Sequence, residues 1–135
     1  MISNKLKTII FLSAPFFVLH QTEEYLTKFY QIDDLSRFAF QLFEPMGSLQ
    51  ATFLLFEIMT IVLFIVSYLF LKGGKAILAL AILFGSVFIF ELHHLVKAIQ
   101  TGGYYPGIVT AIFIYILGFF YWKELLINWR KNYGK

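Results

Sequence analysis

The stretch His20-Gln21-Thr22-Glu23-Glu24 places one imidazole and two carboxylates within five positions, at the end of an otherwise apolar run. On a helix, steps of three and four put His20, Glu23 and Glu24 on one face. A second cluster, Glu91-Leu92-His93-His94, repeats the three-residue step between Glu91 and His94 and turns His93 away. A further carboxylate, Glu57, shares a helical stripe with Gln50, Thr60 and Ser67 at steps of seven, three and seven, a stripe expected to face protein. Such groups can do three things: hold a metal ion, relay protons, or pair helices by hydrogen bonds. Glu-x-x-His pairs on facing helices are how helical bundles hold ions. The chain has no cysteine. Nitrogen and oxygen donors without sulfur suit a divalent metal, zinc first and then iron or manganese. The expected ligands are His20, Glu23, Glu91 and His94, with His93 beside them. Glu24 or Glu57 is then the expected catalytic base for a bound water, and ligand and base can exchange places among these carboxylates.

The elements that carry these groups are membrane helices. The 135 residues are 59% hydrophobic and 14% charged, against about half and about a quarter in soluble domains. Spans of about 20 apolar residues cross a bilayer, and four are expected, near 8–26, 48–71, 75–96 and 105–126. They form a four-helix transmembrane bundle in one domain. With the termini inside and a rise of about 1.5 Å per residue, His20 lies about 18 Å above Thr8, Glu91 about 22 Å above Ala76 and Glu57 about 13 Å below Ser48. All three then share the outer half of the bilayer. That shared depth is the main reason to expect one centre.

The connections agree with this layout. Lys72-Gly73-Gly74-Lys75 is a tight turn that forces an antiparallel hairpin. In QTGGYYPG, residues 100–107, Gly102-Gly103 ends one helix and Pro106 suits the first turn of the next. The longer first connection, Phe29 to Gly47, carries Leu35, Phe38, Ala39, Leu42 and Phe43 at one-face spacing. A short amphipathic interfacial helix is expected there, capped by Asp33, Asp34 or Ser36 and stopped by Pro45. Pro15 is expected to kink the first span. Tyr104, Tyr105, Tyr121, Trp122 and Trp129 fit interfacial aromatic belts, while Gly107, Ala111 and Gly118 allow close helix contact.

Charge sets the orientation. Lys5, Lys7, Lys72, Lys75, Lys123, Arg130, Lys131 and Lys135 fall on one side, and Lys28, Arg37 and Lys97 on the other. Eight against three puts both termini in the cytoplasm, and the expected location is the plasma membrane. Lys5 and Lys7 before Ile9 to Leu19 imitate a secretory signal, but Ser13-Ala14-Pro15 is a poor cleavage site. The net charge of +3 calls for anionic headgroups and no nucleic acid. The expected partners are membrane lipids and a lipid-like substrate, with self-association into an oligomer open. A weak internal echo, His20-Gln21-Thr22-Glu23 against Glu91-Leu92-His93-His94, has the histidine and glutamate exchanged.

Together, His20-x-x-Glu23-Glu24, the later Glu91-x-His93-His94 and Tyr105-Pro106-Gly107-Ile108-Val109-Thr110 at the last helix resemble the HXXEE family of small membrane proteins. The resemblance implies that His20, Glu23 and Glu24 are signature residues and that the second cluster and the Pro-Gly turn belong to the pattern. It implies no reaction. Two functional classes are carried forward: a metal-dependent hydrolase acting on a lipid or membrane-dissolved substrate, and a non-enzymatic transporter, binding or immunity-type protein that uses the same groups.

Overall fold

The structure is a computed structural model of the chain and describes residues 2–34, 37–38, 48–73 and 77–133. Its elements are α1 (Asn4–Leu26), α2 (Phe29–Ile32), α3 (Ser48–Lys72), α4 (Ile77–Phe90), α5 (Leu92–Thr101) and α6 (Ile108–Tyr133). Among the described residues there is no strand.

Three helical stretches are long and apolar enough to cross a membrane: Phe53–Phe70, Ile77–Thr101, which joins α4 and α5, and Ile108–Asn132. The expected first span is helical too, and it continues through Pro15. It falls short in hydropathy because Lys5, Lys7, His20, Gln21, Glu23 and Glu24 interrupt its apolar residues.

The helix ends follow local chemistry. Ser3 caps α1 by accepting from the Leu6 amide. Lys28 adopts the left-handed conformation (φ 57°), reversing the chain so that α2 folds back against the end of α1. Gly102 ends α5 with φ 68°. The third span differs from expectation in two ways: it runs on to Thr101, and it is broken at Glu91, where the His94 amide bonds to the Glu91 carbonyl three residues back. Tyr115 of α6 donates to that same carbonyl at 2.9 Å. The last helix starts at Ile108, so Tyr105 and Pro106 form the approach to it. Of the expected amphipathic helix, residues 35–36 and 39–47 lie outside the described residues.

α1 and α6 pack antiparallel, joined at one end where the Ser3 amide donates to Asn128 and at the other where the Thr110 amide donates to Glu23. α4 and α5 run antiparallel to α6 and also meet α1 through Phe17 and His20, and α3 closes the group against α1 and α4. Lipid tails give no hydrophobic drive for helix association, so close packing and hydrogen bonds must supply it. Gly85 admits Tyr121 and Trp122, and Gly118 admits Phe88. Tyr121 and Trp122, expected in an interfacial belt, make protein contacts: Tyr121 is fully buried and donates to the Ala81 carbonyl, and the half-buried Trp122 donates to that of Gly85. Phe17, Phe84, Phe88 and Tyr121 form an aromatic layer, with ring centroids 5.0–6.0 Å apart. Beyond it, toward the ends of α1 and α4, lies the polar cluster.

Candidate metal centre

His20 on α1 and His94 on α5 are both fully buried, their rings edge to face at 4.7 Å. Their Nε2 atoms point at the same two carboxylates. His20 Nε2 lies 2.8 Å from Glu91 and 3.7 Å from Glu24, and His94 Nε2 lies 3.2 Å from Glu24 and 3.4 Å from Glu91. The inverted order of the two sequence motifs explains this bracing: each helix turns its histidine toward the other helix's glutamate. His20, Glu91 and His94 each offer one ligand atom, all within 4.8 Å of one another.

The opposite ring nitrogens fix how these imidazoles can act. His94 Nδ1–H donates to the Pro106 carbonyl at 2.7 Å. The Thr110 hydroxyl gives its one proton to Glu23, its shortest contact, so its oxygen accepts from His20 Nδ1–H at 2.9 Å. A neutral imidazole carries one N–H. Both Nε2 atoms therefore present lone pairs to the centre in the neutral form, the arrangement that buried acceptors impose on metal-ligating histidines. In that tautomer neither Nε2 has an N–H to give to the carboxylate oxygens it faces at 2.8 and 3.2 Å. Two lone-pair nitrogens facing two carboxylates repel unless positive charge lies among them. The residues fit a divalent ion in charge, donor type and orientation.

Gly107 makes the close approach possible. Its φ is +86°, and a Cβ there would lie 2.7 Å from His94 Cε1 and 2.8 Å from His20 Cε1. The sequence reading gave Gly107 helix contact; its contact is with the two imidazoles.

Other expected site residues stand elsewhere. Glu23, expected as a ligand, is drawn to the start of α6, where it accepts from the Thr110 amide at 2.8 Å, the Val109 amide at 3.3 Å, the Thr110 hydroxyl and the Tyr104 hydroxyl. Unbonded amides and the helix dipole make that position attractive to a carboxylate. Glu24, expected as base, is the member of the pair that faces the two histidines. His93 stacks on His94 at 3.9 Å, but its Nδ1–H donates to the Phe90 carbonyl and its Nε2 lies 4.0 Å from Asp33. Glu57 sits on an exposed part of α3, so the structure does not bring it to the centre. Its stripe divides, with Gln50 exposed and Ser67 buried.

Several supporting groups were not singled out from sequence. Tyr105, read as a belt residue, is buried and donates to Asp33 at 2.8 Å. Burial, and then the Asp33 carboxylate, raise its pKa well above the usual tyrosine range, so it remains a donor. Phe29 of α2 packs on His94 at 5.1 Å and on Tyr105 at 5.9 Å, roofing the centre. A cavity of about 220 Å³ reaches Glu24, Glu91 and His93 between Phe29, Tyr30 and α3.

The model of a family described as a protein of unknown function with HXXEE motif matches residues 11–122. No curated protein matches the chain, and no solved structure does.

Proposed function

We propose a function for a chain that belongs to the HXXEE family, a family of unknown function: a membrane-embedded metal protein that hydrolyses a lipid or membrane-dissolved substrate. In this reading α1 is a fourth span beside the three apolar ones, completing a four-helix bundle in the plasma membrane. Both termini are cytoplasmic, since Lys5, Lys7, Lys72, Lys123 and Arg130 all lie near helix ends on one side. The observation that carries the proposal is the convergence of His20 and His94 Nε2, both buried, on the carboxylates of Glu91 and Glu24.

His20, His94 and Glu91 would hold the ion. Two imidazoles and one carboxylate form a donor set used by hydrolytic zinc sites and by iron sites. Bound there, the ion supplies Lewis acidity, polarising a carbonyl or phosphoryl oxygen and making water acidic near neutral pH. Glu24, the carboxylate of the centre more open to the cavity, accepts the proton of water as it adds to an ester or amide carbonyl. It then returns that proton to the departing alcohol or amine. Thr110 and Pro106 hold the imidazoles in the ligating tautomer, Glu23 holds Thr110, and Phe29 limits water entry.

A second reading has its own support. If both imidazoles are protonated, the same short contacts become charge-assisted hydrogen bonds with no ion, and the protein is a proton or ion carrier. The two are separated by assaying purified protein against a panel of acyl esters and amides, with proton flux measured in proteoliposomes. The hydrolase reading expects Glu24→Gln to keep its metal and lose turnover, and His20→Ala to lose both. Flux without turnover, abolished in the same variants, would replace it with the carrier.

A further inference from the structure

A second cavity adjoins the one at the centre. Gln21 and Met59 line both, and the second, of about 170 Å³, lies along α1, α3 and α4 between Val62, Val66, Phe84 and Val87. The first cavity carries Glu24, Glu91 and His93 at its head, while the second has an apolar lining apart from Gln21. Ile58, Met59 and Val62 are half exposed on the outer side of α3, so the groove opens sideways to where lipid would lie. At the junction Gln21 is almost wholly buried, yet among the described residues its side-chain oxygen has no hydrogen-bond partner. A buried acceptor left unmatched is costly, and nothing apolar can satisfy it.

We propose that this groove binds a monoacyl amphiphile, with its single chain in the apolar cavity, an N–H or O–H beside its carbonyl donating to Gln21, and its head at Glu24 and Glu91. This deepens the hydrolase reading and rests on it for the identity of the site, although binding itself needs no turnover. Three features select the occupant. From Leu55 to Val66 the helix rises roughly 16 Å, a run suited to an extended acyl chain. The apolar cavity, about 170 Å³, is small for two chains side by side. With the ion in place, the two carboxylates of the head region offset its charge, which leaves no excess positive charge to draw an anionic headgroup.

The test uses N-lauroylethanolamine with a diazirine at the end of its chain, added to the full chain in nanodiscs and photolysed. Labelled peptides are then mapped by mass spectrometry. The groove predicts labelling around Val62–Val66 and Phe84–Val87, competed by unlabelled N-lauroylethanolamine and not by a diacyl phosphatidylcholine. Val62→Trp should abolish it, whereas Ile65→Trp on the exposed face should not. Gln21→Met should weaken labelling about tenfold, the factor carried by one net hydrogen bond of about 1.4 kcal/mol. Labelling spread over exposed faces of α3 and α6 and indifferent to Val62→Trp would overturn the proposal, as would stronger competition by the diacyl lipid. Metal content of the same preparation separates the two claims. Groove labelling on an ion-free protein keeps the groove and retires the metal reading, and a bound ion without groove labelling does the reverse.

Discussion

The molecule buries two polar clusters at opposite ends of the α1–α6 pair. At the amino-terminal end of α1, Ser3, Glu124 and Asn128 form a closed knot. The Ser3 hydroxyl donates to Glu124 at 2.7 Å, its amide donates to Asn128 at 2.6 Å, and the Asn128 amide returns bonds to Ser3 and to the Glu124 carbonyl. Lys5 lies 3.6 Å from the same carboxylate. At the other end, His20, His94, Glu24 and Glu91 aim four basic atoms at one another, and their donors are all spent outward on Thr110 and Pro106. The knot satisfies with its own atoms the rule that buried polar groups need partners; the neutral His/Glu cluster turns acceptor to acceptor and does not. A polar group that pins helices together consumes its neighbours' hydrogen-bonding capacity. A site for something else leaves matched capacity pointing inward.

This contrast can be broken, and the largest effect is expected at Gly107. Gly107→Ala forces a Cβ into both imidazoles at a positive φ, and should lose bound metal together with about 2–4 kcal/mol of stability, read by metal content and melting in detergent. Next, chelation should lower the melting temperature of the wild type and leave Glu91→Gln unmoved, because an ion at about 100 times its dissociation constant contributes about 2.7 kcal/mol. Thr110→Val removes the acceptor that fixes the His20 tautomer and should weaken metal binding about 10- to 100-fold, measured by competition with a chelator. Asn128→Ala in the knot should cost about 1–2 kcal/mol, equally with and without chelator and with no loss of metal. Smallest of all, Glu57→Gln should leave metal content unchanged and melting within about 0.5 kcal/mol.

Why the sequence revealed one cluster and hid the other follows from what spacing encodes. The rise per residue gave depth, and depth brought His20 and Glu91 to one level before any contact was known. Angle was less informative. Glu23 and Glu24 share His20's face almost equally, and only the open amides at the start of α6 decide that Glu23 turns there and Glu24 inward. The stripe through Gln50, Glu57, Thr60 and Ser67 was expected to face protein, but it divides: Gln50 and Glu57 are exposed and Ser67 is buried. Tyr105 carried a belt-like signature because its partner Asp33 lies 72 residues away. The knot was invisible for the same reason: Ser3 and Asn128 are 125 residues apart and neither type is unusual near a helix end. The break at Glu91 had no glycine or proline to announce it, and the Tyr115 hydroxyl that bonds to its carbonyl lies on another helix.

The central claim is that the inward-facing capacity of His20, His94, Glu24 and Glu91 is matched by a divalent ion. The most direct measurement is elemental mass spectrometry with X-ray absorption at the metal edge, on protein purified without chelators or a metal-binding tag, beside Glu91→Gln and Asn128→Ala. The account predicts about one ion per chain, with imidazole nitrogen in its coordination shell, lost in Glu91→Gln and kept in Asn128→Ala. A folded wild type that holds no ion, or an ion equally retained in Glu91→Gln, would contradict it.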